Sequence, residues 1–231
     1  MGLTQSIAEQ YQRVMESLAE ACSKAGRAME DVQLIAVSKT FPVACVEAAY
    51  ALGQRLFGEN YVQEMEDKRA ALPKDIAWHF IGRLQRNKVK YIIDGAAMIH
   101  SVDNVALAKE ISRQALLKQA EPPVLIQVNL GGEESKAGFA REGLREGLEE
   151  MAGLPGLHIK GLMTIGPYYA DPEDARQMFR QLKALQREAR SWALPGVEMQ
   201  YVSMGMSHDF RIAIEEGADF VRVGSAIFGQ R

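Results

Sequence analysis

Leu3, Ile7, Tyr11, Val14 and Leu18 recur at helical spacing, which predicts an opening amphipathic helix that Gly26 brings to an end. The pattern then changes. Eight short apolar runs, many of them β-branched, predict strands at 32–38 (VQLIAVS), 55–59 (RLFGE), 77–82 (AWHFIG), 97–102 (AMIHSV), 124–130 (VLIQVNL), 159–165 (IKGLMTI), 199–204 (MQYVSM) and 219–224 (DFVRVG). Helical stretches such as PVACVEAAYAL, NVALAKEISRQALLKQ, EDARQMFRQLKALQREARS and DFRIAIEE lie between them. At three helix-to-strand joins, Gly53, Gly95 and Gly217 are expected to supply the left-handed residue that stops a helix. This alternation implies a parallel sheet with right-handed crossovers. Eight strands, with no early G-x-G-x-x-G, favour a closed (β/α)8 TIM barrel over an open doubly wound sheet. The expected architecture is therefore one barrel domain over residues 1–231 with an extra N-terminal helix, since no linker, low-complexity stretch or repeat divides the chain.

Composition narrows the picture. Of 231 residues, 47% are hydrophobic and 25% charged, which is ample for a full core, and the formal net charge of -3 gives no reason to expect a polyanion partner. The locally basic RLQRNKVK (83–90) reads as a solvated helix face, so no nucleic-acid partner is expected. Cys22 and Cys45 stand far apart without a C-x-x-C, as two thiols in a reducing cytoplasm would. His79, His100, His158 and His208 are scattered, and no metal-ligand spacing links them. The N-terminus carries acids and lacks the unbroken apolar core of a signal peptide, and no run reaches the roughly 18 apolar residues of a membrane span. A cytoplasmic protein with no membrane partner is expected.

The chemistry gathers at the predicted strand ends, where such barrels build their sites. The stretch LIAVSKTFP (34–42) ends a buried-looking strand on Lys39, although an ammonium there is expensive unless it is paired or neutral. The second strand runs into Glu59, Asn60 and Tyr61. His79 lies in the third, and Ser101, Asn129 and Met163-Thr164 close the next three. The seventh runs into SMGMSHD (203–209), and the eighth carries Arg222 and ends at Gly224-Ser225. The loops after strands seven and eight are where many such barrels hold phosphate. Gly205 would let backbone approach an anion, Ser203 and Ser207 offer hydroxyls, Ser207 could cap the next helix, and GSAIFG (224–229) opens a short helix. The plain alternative is two tight turns that need glycine. Closure makes strands one and eight neighbours, so Lys39 and Arg222 would flank the same loops. A lysine, an arginine and a phosphate cradle together suggest pyridoxal 5'-phosphate. Its aldehyde needs a neutral amine, and burial beside a cation lowers lysine from its usual value of about 10.4.

Seven stretches, AVSKT (36–40), FGENYVQE (57–64), WHFIGRLQRNK (78–88), ESKAGF (134–139), GLMTI (161–165), SMGMSHDF (203–210) and VRVGSAIFG (221–229), together resemble the YggS/PROSC family of pyridoxal phosphate homeostasis proteins. The resemblance spans nearly the whole chain and implies a single barrel similar to the N-terminal domain of alanine racemase. It implies that Lys39 carries the cofactor as an internal aldimine and that Arg222 faces the pyridine nitrogen. Ser203, Gly205, Gly224 and Ser225 would hold the phosphate, Met204 would contribute backbone, and Asn60 and His79 would lie around the ring. Lys136 matches a position tied to a second role in cofactor handling, while its bland reading is a solvated loop lysine.

Two functions of different class follow. One is a carrier that binds pyridoxal phosphate, masks its aldehyde and hands it to apo-enzymes. The other is an amino-acid racemase. An arginine on the ring nitrogen gives up no proton and weakens the ring as an electron sink. Two-base racemisation also needs a donor on the opposite face. The racemase takes that donor from a second domain of its partner, for which no residues remain here, and Tyr61 and Tyr201 read more simply as wall or packing residues. The expectation is a monomeric carrier with little or no catalysis. A phosphosugar isomerase on the same barrel is the third possibility, and it predicts no imine.

Overall fold

The computed structural model describes residues 3–131 and 137–230. The opening helix α1 (Leu3–Lys24) buries Ile7, Val14, Leu18, Ala21 and Cys22 along one stripe. Eight strands follow: β1 (Gln33–Val37), β2 (Leu56–Glu59), β3 (Ala77–Phe80), β4 (Met98–Val102), β5 (Pro123–Gln127), β6 (His158–Met163), β7 (Val197–Met206) and β8 (Phe220–Val223). The helices between and after them are α2 (Val43–Ala51), α3 (Val62–Ala71), α4 (Val89–Ile92), α5 (Val105–Lys118), α6 (Leu144–Met151), α7 (Arg176–Ser191), α8 (Phe210–Glu215) and α9 (Ser225–Phe228). Each strand pairs in parallel with the next, and β1 pairs with β8 from Gln33↔Phe220 to Ala36↔Val223, which closes the barrel. The predicted TIM barrel with an added N-terminal helix is the observed fold.

Every predicted strand is present, but β7 runs two residues further than its apolar stretch. It takes in Gly205 and Met206 through an irregularity in its pairing with β8 between Ser203 and Met206. Gly53 and Gly217 adopt the expected left-handed backbone, at φ of 98° and 92°. Gly95 does not. Its place is steric, because a Cβ there would lie 2.2 Å from the Arg69 guanidinium.

Side-chain alternation along the strands divides the interior in two. Leu34 and Ala36 of β1 face the large outer core between sheet and helices. Ile35 and Val37 face inward and pack with Ile81, Met98, Leu125, Met163 and Phe220 in a smaller barrel core. One step past Val37 this alternation sends Ser38 outward, and the next step turns Lys39 to the barrel mouth. Cys22 and Cys45 are buried free thiols. Among the described residues no helix is long and apolar enough to cross a membrane.

Candidate functional site

A cavity of about 510 Å³ opens at the C-terminal ends of the strands. Val37 lines it at the end of β1, Lys39 just beyond that end, Asn60 beyond β2 and Ile81 beyond β3. Met206 and Ser207 enter from the end of β7, and Arg222, Gly224 and Ser225 from β8 and its loop. Tyr168, 80% exposed, stands at the rim with its ring stacked on His208 at 5.1 Å between centroids.

Arg222 is buried, and two hydrogen bonds fix its guanidinium. Nη1 donates to Ser203 Oγ at 2.6 Å, and Nη2 donates to the carbonyl of Thr164 at 2.8 Å. Burial pushes it down to about 10, still well above neutral pH, so it remains a cation. Guanidinium only donates, and that sets the direction of a chain running across the barrel. Ser203 Oγ lies 3.0 Å from His100 Nδ1, and His100 Nε2 lies 2.8 Å from His79 Nδ1. Ser203 accepts from Arg222 and has no further partner among the described residues, so its proton goes to His100 Nδ1. His100 then carries its hydrogen on Nε2 and donates it to His79. Burial, with His79 and Arg222 adding to it, holds His100 well below its ordinary 6.5, and burial pushes His79 down to about 4. Both rings are therefore neutral at physiological pH, as this proton order requires.

A second polar cluster holds the turn that presents Lys39. Lys68 of α3 is buried, and its Nζ donates to the Ser38 carbonyl at 2.7 Å, to Glu59 Oε1 at 2.8 Å and to Glu64 Oε1 at 2.7 Å. Ser38 Oγ donates to the same Glu59 oxygen at 2.6 Å, and the Thr40 N–H donates to Glu64 Oε1 at 2.6 Å. Residues on both sides of Lys39 are thus clamped from behind the sheet. The clamp meets a cost, since Thr40 has a φ of 66°, a region β-branched residues rarely enter. Burial raises the Glu59 carboxyl against the opposing pull of Lys68 and Ser38.

The two loops opposite Lys39 are tied to each other. Ser207 Oγ accepts from the Gly224 N–H at 3.0 Å and the Ala226 N–H at 3.4 Å. Asp209 Oδ1 accepts from the Met206 N–H at 2.6 Å and fixes the turn into α8. Backbone donors thus already converge on one oxygen at the cavity wall.

Of the residues singled out from sequence, Lys39, Asn60, Arg222, Gly224 and Ser225 meet at this cavity. Four others lie off its wall. His79 and Ser203 are buried in the hydrogen-bonded layer beneath Arg222. Met204 packs in the outer core. Gly205, at φ 86°, turns the strand against α8, where a Cβ would lie 2.5 Å from the Ala213 Cβ. Lys136 lies outside the described residues. Ser207 lines the cavity where Ser203 does not, and it accepts from the neighbouring loop instead of capping α8, whose N-cap is Asp209. Tyr201 packs against Phe220 in the barrel core, and Tyr61 faces a neighbouring cleft.

Fold and site together define a class: a closed parallel barrel whose cavity lies at the C-terminal ends of the strands, with its lysine after β1 and its arginine on β8. Residues 14–231 match the family described as alanine racemase, N-terminal domain. A pyridoxal phosphate homeostasis protein of Aquifex aeolicus is 46% identical over 224 residues, 96% of this chain and 97% of that one. PipY of Synechococcus elongatus PCC7942, solved with PLP bound, superposes with a TM-score of 0.81 at 38% identity, covering 92% of this chain and 100% of PipY. The alanine racemase of Corynebacterium glutamicum shares the fold at a TM-score of 0.70 and 21% identity, covering 99% of this chain and 62% of the racemase. The chain belongs to the alanine racemase N-terminal-domain family, in its branch of pyridoxal phosphate homeostasis proteins.

Proposed function

We propose that this protein binds pyridoxal 5'-phosphate covalently through Lys39 and serves as a carrier that keeps the aldehyde masked until it passes to apo-enzymes. The observation that carries the reading is the meeting, in one cavity, of an amine, a fixed guanidinium and a loop pair rich in hydroxyl and backbone donors. The donor set fits the group. Ser207, Gly224 and Ser225 offer small, polar surface for a phosphate, and the backbone N–H groups that now meet on Ser207 Oγ are aimed where a phosphate oxygen would accept. Arg222, fixed by Ser203 and the Thr164 carbonyl, would donate towards the ring nitrogen. Asn60 and Ile81 would bound the ring. When bound, pyridoxal phosphate supplies a reactive aldehyde and an electron-withdrawing ring. The protein's part is to hold both ends, exclude water and fix one proton at the guanidinium. That last feature restricts carbanion chemistry without forbidding it, and the carrier reading over a racemase is supported by the likeness to pyridoxal phosphate homeostasis proteins. The protein is proposed to act as a monomer.

The test is borohydride reduction of loaded protein followed by peptide mapping. A pyridoxyl adduct on the Lys39 peptide, absent from Lys39→Ala, is the expected result, together with negligible turnover of alanine and serine. Robust racemisation that disappears in Lys39→Ala would overturn the carrier reading, and an adduct-free Lys39 peptide would overturn the binding reading.

A further inference from the structure

Two of the stretches singled out in the sequence, FGENYVQE and WHFIGRLQRNK, are hardly used by the cofactor cavity, which takes Asn60 from one and Ile81 from the other. Glu59, Glu64 and His79 support that cavity from behind, and several of the other polar residues converge elsewhere. Beyond the ends of β2 and β3 lies a second cleft of about 790 Å³, lined by Tyr61, Gln63, Arg83, Gln85 and Lys88, with Tyr91 of α4. Asn60 forms a wall of both spaces. The loops that make this wall are pressed together, because a Cβ on Gly82 would lie 2.3 Å from the Asn60 carbonyl oxygen.

The cleft has the composition of an interface. Tyr61 is 58% exposed and Tyr91 45%, and exposed tyrosine and arginine beside one another are what protein contact surfaces favour. Arg83 and Lys88 make no ion pair among the described residues; Lys88 Nζ lies instead 5.6 Å from the centre of the Tyr91 ring. Several cations on other faces are neutralised, as where Arg176 meets Glu173, Glu215 and Glu216 and where Lys109 meets Glu150. The acidic residue on the cleft wall, Glu66, pairs with Arg69 at 3.1 Å. The uncompensated charge of the cleft is therefore positive. Asn60 Oδ1, in the wall the two spaces share, is buried with no hydrogen-bond partner among the described residues. Long, solvated cations around a half-open trough fit an extended chain better than an enclosed small molecule.

We propose that this cleft docks an acidic, extended segment of a partner protein beside the cofactor mouth. That the partner is a recipient of the cofactor rests on the function proposed above. In cofactor-loaded protein, fluorescein-labelled octaglutamate should bind, and octaglutamine should not. Its affinity should fall several-fold as NaCl rises from about 20 to about 200 mM. Arg83→Glu with Lys88→Glu should weaken binding at least about tenfold, with melting temperature and cofactor affinity unchanged. The same reversal at Lys109 and Arg113, paired cations of α5, should leave binding intact. Equal binding of octaglutamine, indifference to the Arg83/Lys88 reversal, or equal competition by free glutamate or inorganic phosphate would overturn the proposal. Octaglutamate binding by a protein that takes no cofactor on Lys39 would instead sink the carrier reading and leave the docking site standing.

Discussion

Replacing Lys68 by methionine keeps most of the aliphatic stem and deletes one buried charge. Glu59 is fully buried, and its Oε2 has no partner among the described residues, so its carboxylate depends on Oε1, which Lys68 and Ser38 share. Without Lys68, one hydroxyl remains to compensate it. Removing one member of a buried pair costs about 3–5 kcal/mol, a large share of the roughly 5–15 kcal/mol that holds a domain together. At about 2–4 °C per kcal/mol for a chain of this size, the melting temperature should fall by about 6–20 °C. Adding Glu59→Gln should restore much of that loss, because a neutral amide needs no counter-ion. It should not restore cofactor affinity, because the donor that pins the Ser38 carbonyl and Glu64 is still missing and Thr40 is no longer held at its φ of 66°. Calorimetry and cofactor titration on the single and double variants separate the two effects. A Lys68→Met protein melting within about 2 °C of wild type, or a double variant less stable than the single, would refute the reasoning.

Three further outcomes are expected. His79 titrates near 4 in the folded protein against 6.5 unfolded, so its contribution is complete above pH 6.5 and is lost as pH falls towards 4. By pH 5 the loss is about 2 kcal/mol for this ring alone, and urea unfolding at pH 7.5 and pH 5 should show it, with a smaller drop in His79→Gln. Raised Glu59 works in the opposite sense and offsets part of the loss; a flat profile would contradict the neutral histidine pair. Ser207→Ala removes the acceptor for Gly224 and Ala226 and should cost about 1 kcal/mol of stability with roughly tenfold weaker cofactor binding, while octaglutamate binding stays unchanged. Gly82→Ala drives a methyl into the Asn60 carbonyl and should destabilise by about 1–3 kcal/mol, and titrations should show both ligands weakened.

The barrel was legible because each strand is a short apolar run between turn residues, and because Lys39 continues the inward phase of Ile35 and Val37. Depth along the barrel axis was not legible. Alternation reports inside or outside, but not how far a strand runs before its loop begins. Ser203 and His79 point inward as expected, yet they sit one layer below the mouth, in the chain that Arg222 organises. The extension of β7 to Met206, with its pairing irregularity, moves the useful hydroxyl from Ser203 to Ser207. Lys68 carries no signal in the sequence at all. It sits in a strongly polar helix, and only the packing of α3 against the ends of β1 and β2 turns it into the support of Lys39.

Because β8 pairs with β1, the halves of the cavity come from opposite ends of the chain. A ribosome delivers Lys39 well before Arg222, so the growing chain carries the amine with no pocket around it until the seven later strands have been made. On the proposed function, loading would wait until β8 zips onto β1, so capture of the vitamin would report directly on a completed barrel.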